Sequence, residues 1–232
     1  KKQHIDFFSR SFRIGLVCGL VGSLVVAVEG DFHAKDVTEK QPVKLAAMES
    51  LWDTTRQAPI YLLAVPDEEN GRNAVELLPI PGVLSFLGHG DFNAEVKGLN
   101  DFPRDERPPV LPVSLAFRGM VALGAYFILI TLYGMLRRNK LLESPLLLKA
   151  MLFSIPLPYL AIQLGWIVTE LGRQPWIVWG MMRTSDAASP IAASQVIMTL
   201  IGFTLVYSLL GFAGYYLIYK HAKQGPAAAQ AA

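Results

Sequence analysis

Glu170 closes an apolar run that begins near Leu146, and Gly172, Arg173, Gln174 and Pro175 follow it at once. Gly and Pro just beyond a helix are ordinary stop signals, but a carboxylate in the last turn faces the negative end of the helix dipole. An acid at membrane depth is the kind of group that binds a cation, moves a proton or ligates a metal, and Arg173 is its nearby counter-charge. The plainer reading of the same residues is an interfacial acid paired to that arginine. Arg118 and Met120 form a second constellation, inside the apolar run 113–136. A methionine alone is adaptable packing; an arginine buried two residues away needs an anionic partner. Lys44 and Glu49, in KLAAMESLW, pair a donor with an acid that can accept a proton. Five residues apart on a helix they lie about 140° apart. They would flank one ligand only if Lys44 sits at an irregular helix start, and a solvated amphipathic helix is the alternative. His4 is either a ligand or a solvated interfacial histidine.

The elements that position these residues are membrane helices. The chain has 232 residues, of which 52% are hydrophobic and 17% charged, with a mean hydropathy of +0.36. Soluble domains carry about a quarter charged residues. A net charge of +2 gives no argument for nucleic acid, and the single cysteine, Cys18, excludes an internal disulfide and a cysteine metal cluster. Four spans are expected, at 12–28, 113–136, 145–169 and 192–219, the first near the minimum length for crossing a bilayer. No cleavable signal peptide is visible. Pro156, Pro158 and Gln163 are expected to interrupt the third span and turn it toward protein.

The fold class is therefore an all-α membrane protein of four spans with a long polar connection between the first two. The expected divisions are 1–28, an N-terminal segment with the first span; 29–112, the connection; 113–219, three spans; and 220–232, a basic, then low-complexity tail. Within the connection, Leu45, Met48 and Trp52 fall at helical spacing, which predicts a short helix with its apolar face on membrane or protein. APIYLLAV and AVELLPIPG, around PDEENGRN, predict a hairpin. Charge placement gives the orientation. Lys1, Lys2, Arg10, Arg13, Arg137, Arg138, Lys140, Lys149, Lys220 and Lys223 gather on one side against Asp6 and Glu143, while 29–112 carries 8 Lys and Arg against 15 Asp and Glu. The short basic segments put both termini in the cytoplasm and the connection outside.

Four stretches resemble one family in the same order: KLAAMESLW at 44–52, LAFRGMVALG at 115–124, SIPLPYLAIQLGW at 154–166, and GRQPW following Trp166 and Glu170. They are similar to subunit I of cytochrome bd-type quinol oxidases, from about residue 5 to about residue 226, over the C-terminal half of that subunit. With Lys1 first rather than Met, the resemblance implies a fragment, a processed chain or one piece of a split subunit. It implies Met120 as an axial ligand of a low-spin heme b, its histidine partner lying on a helix outside this sequence. It implies Glu170 as ligand of a high-spin heme, b or d. Arg118 and Arg173 would neutralise propionates, and Trp166, one turn before Glu170, would sit beside the hemes, unless it is an interfacial anchor. Lys44 and Glu49 would serve quinol, as orienting donor and proton acceptor.

The implied activity is oxidation of quinol outside and reduction of oxygen to water with protons from inside. This builds a proton gradient without a pump, in a bacterial or archaeal cytoplasmic membrane. Implied partners are the N-terminal half of subunit I, subunit II, a small single-helix subunit, lipids and quinone. A transporter bundle using Glu170 and Arg118, or a scaffold subunit with degenerate sites, are the alternatives; no inverted repeat supports the first. Heme bands in the absorption spectrum of the purified complex separate these readings. The topology has its own test. In a Cys18→Ser background, a cysteine placed in the 60–75 turn is expected to react with an impermeant maleimide from outside. Labelling only from the cytoplasmic side would reverse the orientation.

Overall fold

The computed structural model describes residues 4–224. Lys1, Lys2 and the alanine-rich tail 225–232 lie outside them. In chain order the elements are helix α1 (Ile5–Lys40), α2 (Pro42–Glu49), strands β1 (Thr55–Arg56), β2 (Ile60–Asp67) and β3 (Arg72–Ile80), α3 (Val83–His89), β4 (Glu95–Val96), α4 (Val110–Leu136), α5 (Pro145–Phe153), α6 (Leu157–Gly172), β5 (Trp176–Val178), β6 (Met182–Arg183) and α7 (Ala193–Gln224). Four helical stretches are long and apolar enough to span a bilayer: α1, α4, α5 with α6, and α7.

The helix of the first span continues past residue 28: α1 runs 36 residues, to Lys40. At 1.5 Å per residue α1 is about 54 Å long, well beyond a hydrocarbon core of about 30 Å. Its polar end is helical because the charges repeat at i,i+4. Lys35 Nζ meets Asp31 Oδ2 at 2.6 Å and Lys40 Nζ meets Asp36 Oδ1 at 2.5 Å. Such pairs support a helix that hydropathy alone does not reveal.

Gln41 caps α2 and Pro42 opens it, where a missing N–H costs nothing. Ser50, with φ at 53°, ends the helix in the left-handed region. The helix is shorter than its sequence pattern and is no surface helix: Val43, Leu45, Ala46, Ala47, Met48 and Glu49 are all buried. Val43, Ala46, Ala47 and Met48 form one core with Trp52, Leu99, Val110, Val113, Ala116 of α4 and Val168 of α6. Beyond it, β2 and β3 pair antiparallel from Ile60↔Ile80 to Asp67↔Arg72, with a bulge at Val65/Pro66 that accommodates the proline. β1 pairs with β4.

α5 and α6 make one span with a break at Ser154–Pro156. Pro156 lacks the N–H that would continue α5, and Pro158 lies in the first turn of α6. Gln163 does not interrupt the span. It sits exposed inside α6, as expected of a good helix former. α6 meets α4 through small residues: a Cβ at Gly119 would come 3.0 Å from Leu164 Cδ1, and one at Gly165 would come 3.3 Å from Met120 Sδ. The link after α6 adds a two-strand ribbon, β5 with β6, that the sequence pattern did not indicate. α7, taken by itself, is 32 residues of apolar helix.

Gly98 is the tightest point of the connection. Leu99 N–H donates to Leu51 O at 2.9 Å and Asn100 N–H to Trp52 O at 2.8 Å, and a Cβ at position 98 would be driven into the backbone of Trp52 and Asp53. Gly98→Ala is expected to destabilise by about 1–3 kcal/mol, read as a lowered melting midpoint of the purified complex.

Candidate functional site

α2 places its two polar residues against different helices. Their separation of about 140° around the helix is realised: Lys44 faces the end of α6, and Glu49 faces α4. The Lys44 stem lies along Gly172, where a Cβ would meet its Cε at 3.2 Å and Cγ at 3.3 Å. Lys44 lies in the first turn of α2, just after the break at Gln41, and the two residues face different neighbouring helices.

At the other end of α2, Arg118 gathers the polar groups. Its Nη1 donates to Met48 O at 3.1 Å and its Nη2 to Glu49 O at 3.0 Å. Nη2 also lies 3.9 Å from Glu49 Oε2, and Nη1 donates to Ser114 Oγ. Ser114 Oγ in turn shares a hydrogen bond of 2.6 Å with Ser50 Oγ. A cation on the last carbonyls of a helix matches the dipole, and the anionic partner Arg118 needs is a carboxylate of this chain. Ser50 and Ser114 escaped the sequence reading; the only signal was that Ser114 precedes Arg118 by one turn. Burial pushes the Glu49 carboxyl up to about 7, and the opposing Arg118 charge only moderates it. An acid poised there exchanges protons near neutral pH.

Met120 lies half-buried with its sulfur toward Gly165 of α6. Gly165 is five residues before Glu170, so the sulfur sits about 7 Å deeper along α6. Glu170 is partly exposed and its Oε2 accepts from Arg173 Nη2 at 2.5 Å. Trp166 is exposed on α6. Burial, then the Arg173 charge, hold the Lys44 ammonium below the usual lysine range, while Glu170 opposes them. His4 is exposed at the head of α1, and Cys18 is a free, exposed thiol. No cluster of three His, Cys, Asp or Glu occurs among the described residues.

The residues present fit heme groups. The buried Arg118 Nε and Arg173 Nε have no hydrogen-bond partner, and the Met120 sulfur packs close against Gly165. A soft thioether and a hard carboxylate suit a low-spin and a high-spin iron respectively.

The pH dependence of stability follows from Glu49. Its carboxyl rises from an ordinary 4.5 to about 7 on folding, so the folded chain holds a proton the unfolded chain loses, and stability falls as pH rises through that window. Glu49→Gln should leave stability unchanged near pH 4. Above pH 7 the variant should be more stable by up to roughly 3 kcal/mol, at about 1.4 kcal/mol per unit. Melting midpoints of the complex at pH 4 and pH 8 measure it.

Residues 1–226 match the family model of cytochrome bd terminal oxidase subunit I. The chain is 35% identical over 238 residues to the cytochrome bd ubiquinol oxidase subunit 1 of Bacillus subtilis, covering 97% of this chain and 51% of that protein. It is 30% identical to the cytochrome bd-II ubiquinol oxidase subunit 1 of Escherichia coli, over 95% of this chain and 56% of the relative. The bd oxidase structure from Geobacillus thermodenitrificans superposes with a TM-score of 0.77 at 32% identity, over 97% of this chain and 51% of that one. The chain thus spans about half the length of the relatives it matches. With four helices long and apolar enough to span, it is a multi-pass membrane protein, and it belongs to the cytochrome bd terminal oxidase subunit I family.

Proposed function

We propose that this chain supplies the quinol-oxidising and part of the heme-binding machinery of a quinol:oxygen oxidoreductase. The observation that carries the reading is the placement of Glu49: a buried acid titrating near 7, held by the arginine two residues from Met120. Oxidation of quinol to quinone releases two protons and two electrons. Two quinols match the four electrons and four protons that turn oxygen into two waters.

Glu49 accepts a quinol hydroxyl proton, because its poise lets it take a proton and yield it again near neutral pH. Arg118 holds the α2 carbonyls and the carboxylate in place and steadies the ionised form. Low-spin heme b at Met120 and high-spin heme b or d at Glu170 would supply electron transfer and oxygen reduction when bound. The Met120 sulfur lies against Gly165, and Arg173 orients Glu170. Trp166 lies on the same face as Glu170, one turn deeper, as the aromatic between the two sites.

The connection from Gln41 to Pro109 is the outer side, and the termini are cytoplasmic. Protons from quinol then leave outside while those for water come from inside, which makes the reaction electrogenic. The N-terminal half of subunit I, subunit II and a small single-helix subunit complete the complex in a bacterial cytoplasmic membrane.

Three variants in the assembled complex test this. Met120→Leu keeps volume and is expected to abolish low-spin heme signals. Glu170→Ala is expected to perturb a high-spin heme while low-spin signals persist. Glu49→Ala should lower quinol turnover at least about a hundredfold, the low end of what a positioned acid or base contributes, with spectra unchanged. Spectra untouched in the first two variants would make the chain a scaffold beside cofactors held by others.

A further inference from the structure

Asn73 is the residue through which the hairpin reaches the Glu49 end of α2. It stands near the start of β3, beside a register shift from Val65↔Val75 to Pro66↔Asn73, and such irregularities re-aim a side chain. Its half-buried amide is engaged at every polar atom. Oδ1 accepts from Trp52 Nε1 at 2.8 Å, while Nδ2 donates to Ser50 O at 3.0 Å and to Glu76 Oε1 at 2.8 Å. The partners fix its orientation. An indole N–H only donates and a carbonyl oxygen only accepts, so the reversed amide would set donor against donor and oxygen against oxygen.

The two residues it grips bracket the point where α2 ends. Ser50 follows Glu49 directly and has φ at 53°, a region that residues other than glycine enter only when their surroundings hold them. What holds Ser50 is its carbonyl on Asn73 and its hydroxyl on Ser114, whose Oγ also accepts from Arg118 Nη1. Arg118 closes the circuit by donating to Glu49 O. A continuous set of hydrogen bonds thus runs from a hairpin side chain to the guanidinium beside the buried acid. The hairpin has its own ladder from Ile60↔Ile80 to Asp67↔Arg72 and packs through the fully buried Ala64. The amide at position 73 therefore bears on how α2 ends more than on how the hairpin folds.

We propose that Asn73 is a positioning residue for Glu49: by clasping Ser50 and Trp52 it fixes the end of α2, so that the hairpin sets where the acid stands and keeps water from it. What this serves rests on the quinol-oxidising reading of Glu49. Removing the clasp frees Ser50 and lets water reach a side chain in a residue only 7% exposed. Burial is the main influence on the Glu49 carboxyl, and Arg118 of α4, the charged group beside it, the lesser one. On the hairpin side the charged group is Glu76, held by Asn73 itself. From α6, Val168 gives α2 apolar packing, while Glu170 and Arg173 act on Lys44 at the other end of the helix. Hydration therefore lowers the pH at which Glu49 ionises.

Asn73→Ala removes the whole clasp, and Trp52→Phe removes one half of it while keeping an aromatic ring in the core. Asn70→Ala is the control: it cuts the bond from Asn70 Nδ2 to Asp67 in the hairpin turn and leaves the clasp alone. In the assembled complex, quinol kinetics, heme spectra, melting midpoint and the infrared carboxyl band of Glu49, assigned against Glu49→Gln, are read across pH. Asn73→Ala is expected to lower kcat by about tenfold to a hundredfold, the scale of a misplaced reacting group. Glu49 ionisation should move to lower pH with heme spectra unchanged, and Trp52→Phe should do the same to a smaller extent. Asn70→Ala should keep the wild-type profile. A Glu49 band that titrates at the wild-type pH or above in both clasp variants would overturn the proposal. So would equal losses in Asn73→Ala and Asn70→Ala that appear as a lower melting midpoint with unmoved ionisation, because the amide would then only steady the hairpin. Turnover indifferent to Glu49→Ala would overturn the quinol reading instead, and the infrared band still decides whether Asn73 positions the acid.

Discussion

Burying α2 between α4 and α6 forces the chain to satisfy the polar end of a helix away from water. The last carbonyls of any helix lack partners within it, and here they point at α4 together with a carboxylate, Glu49, that is only 7% exposed. Arg118 answers all of it at once, donating to the Met48 and Glu49 carbonyls and to Ser114 while lying beside the Glu49 carboxylate. Planar, five-donor guanidinium geometry suits this role in a way an ammonium would not. A buried, imperfectly close ion pair is weak evidence for stability, and the pair distance of 3.9 Å agrees with an acid that remains easy to protonate.

The apolar packing of α2 is what permits this arrangement. Its small residues, Ala46 and Ala47, are fully buried and let the helix approach its neighbours, while Val43 and Met48 fill the sides against Val113, Ala116 and Val168. The tight backbone pairing of Leu51 and Trp52 with Leu99 and Asn100 holds the rest of the connection over this wedge. Trp52 Nε1 also donates to Asn73 Oδ1, and Asn73 Nδ2 donates to Ser50 O, tying the hairpin to the end of the same helix. A connection that reads as polar loop is thereby held by a core continuous with the spans.

Large apolar surfaces remain on the helices themselves. Val21, Val25 and Val28 on α1 and Ile162, Trp166 and Ile167 on α6 are exposed. Such surfaces suit lipid or further protein.

The sequence by itself determined the four spans and the family, because long apolar runs, punctuating Gly and Pro and short contiguous motifs are local signals. Hydropathy missed the polar third of α1, since ion pairs four residues apart carry no apolar signal, and it gave Gln163 a weight that helical backbone does not recognise. Partner choice was not legible. Arg118 finds Glu49 across 69 positions, and Lys44 finds Gly172 and Arg173 across more than a hundred. Only the wedging of α2 between two spans sends its two polar residues to opposite neighbours. The reason is rotational: the helix fixes the angle between Lys44 and Glu49, and only the packed tertiary structure decides what stands on each side.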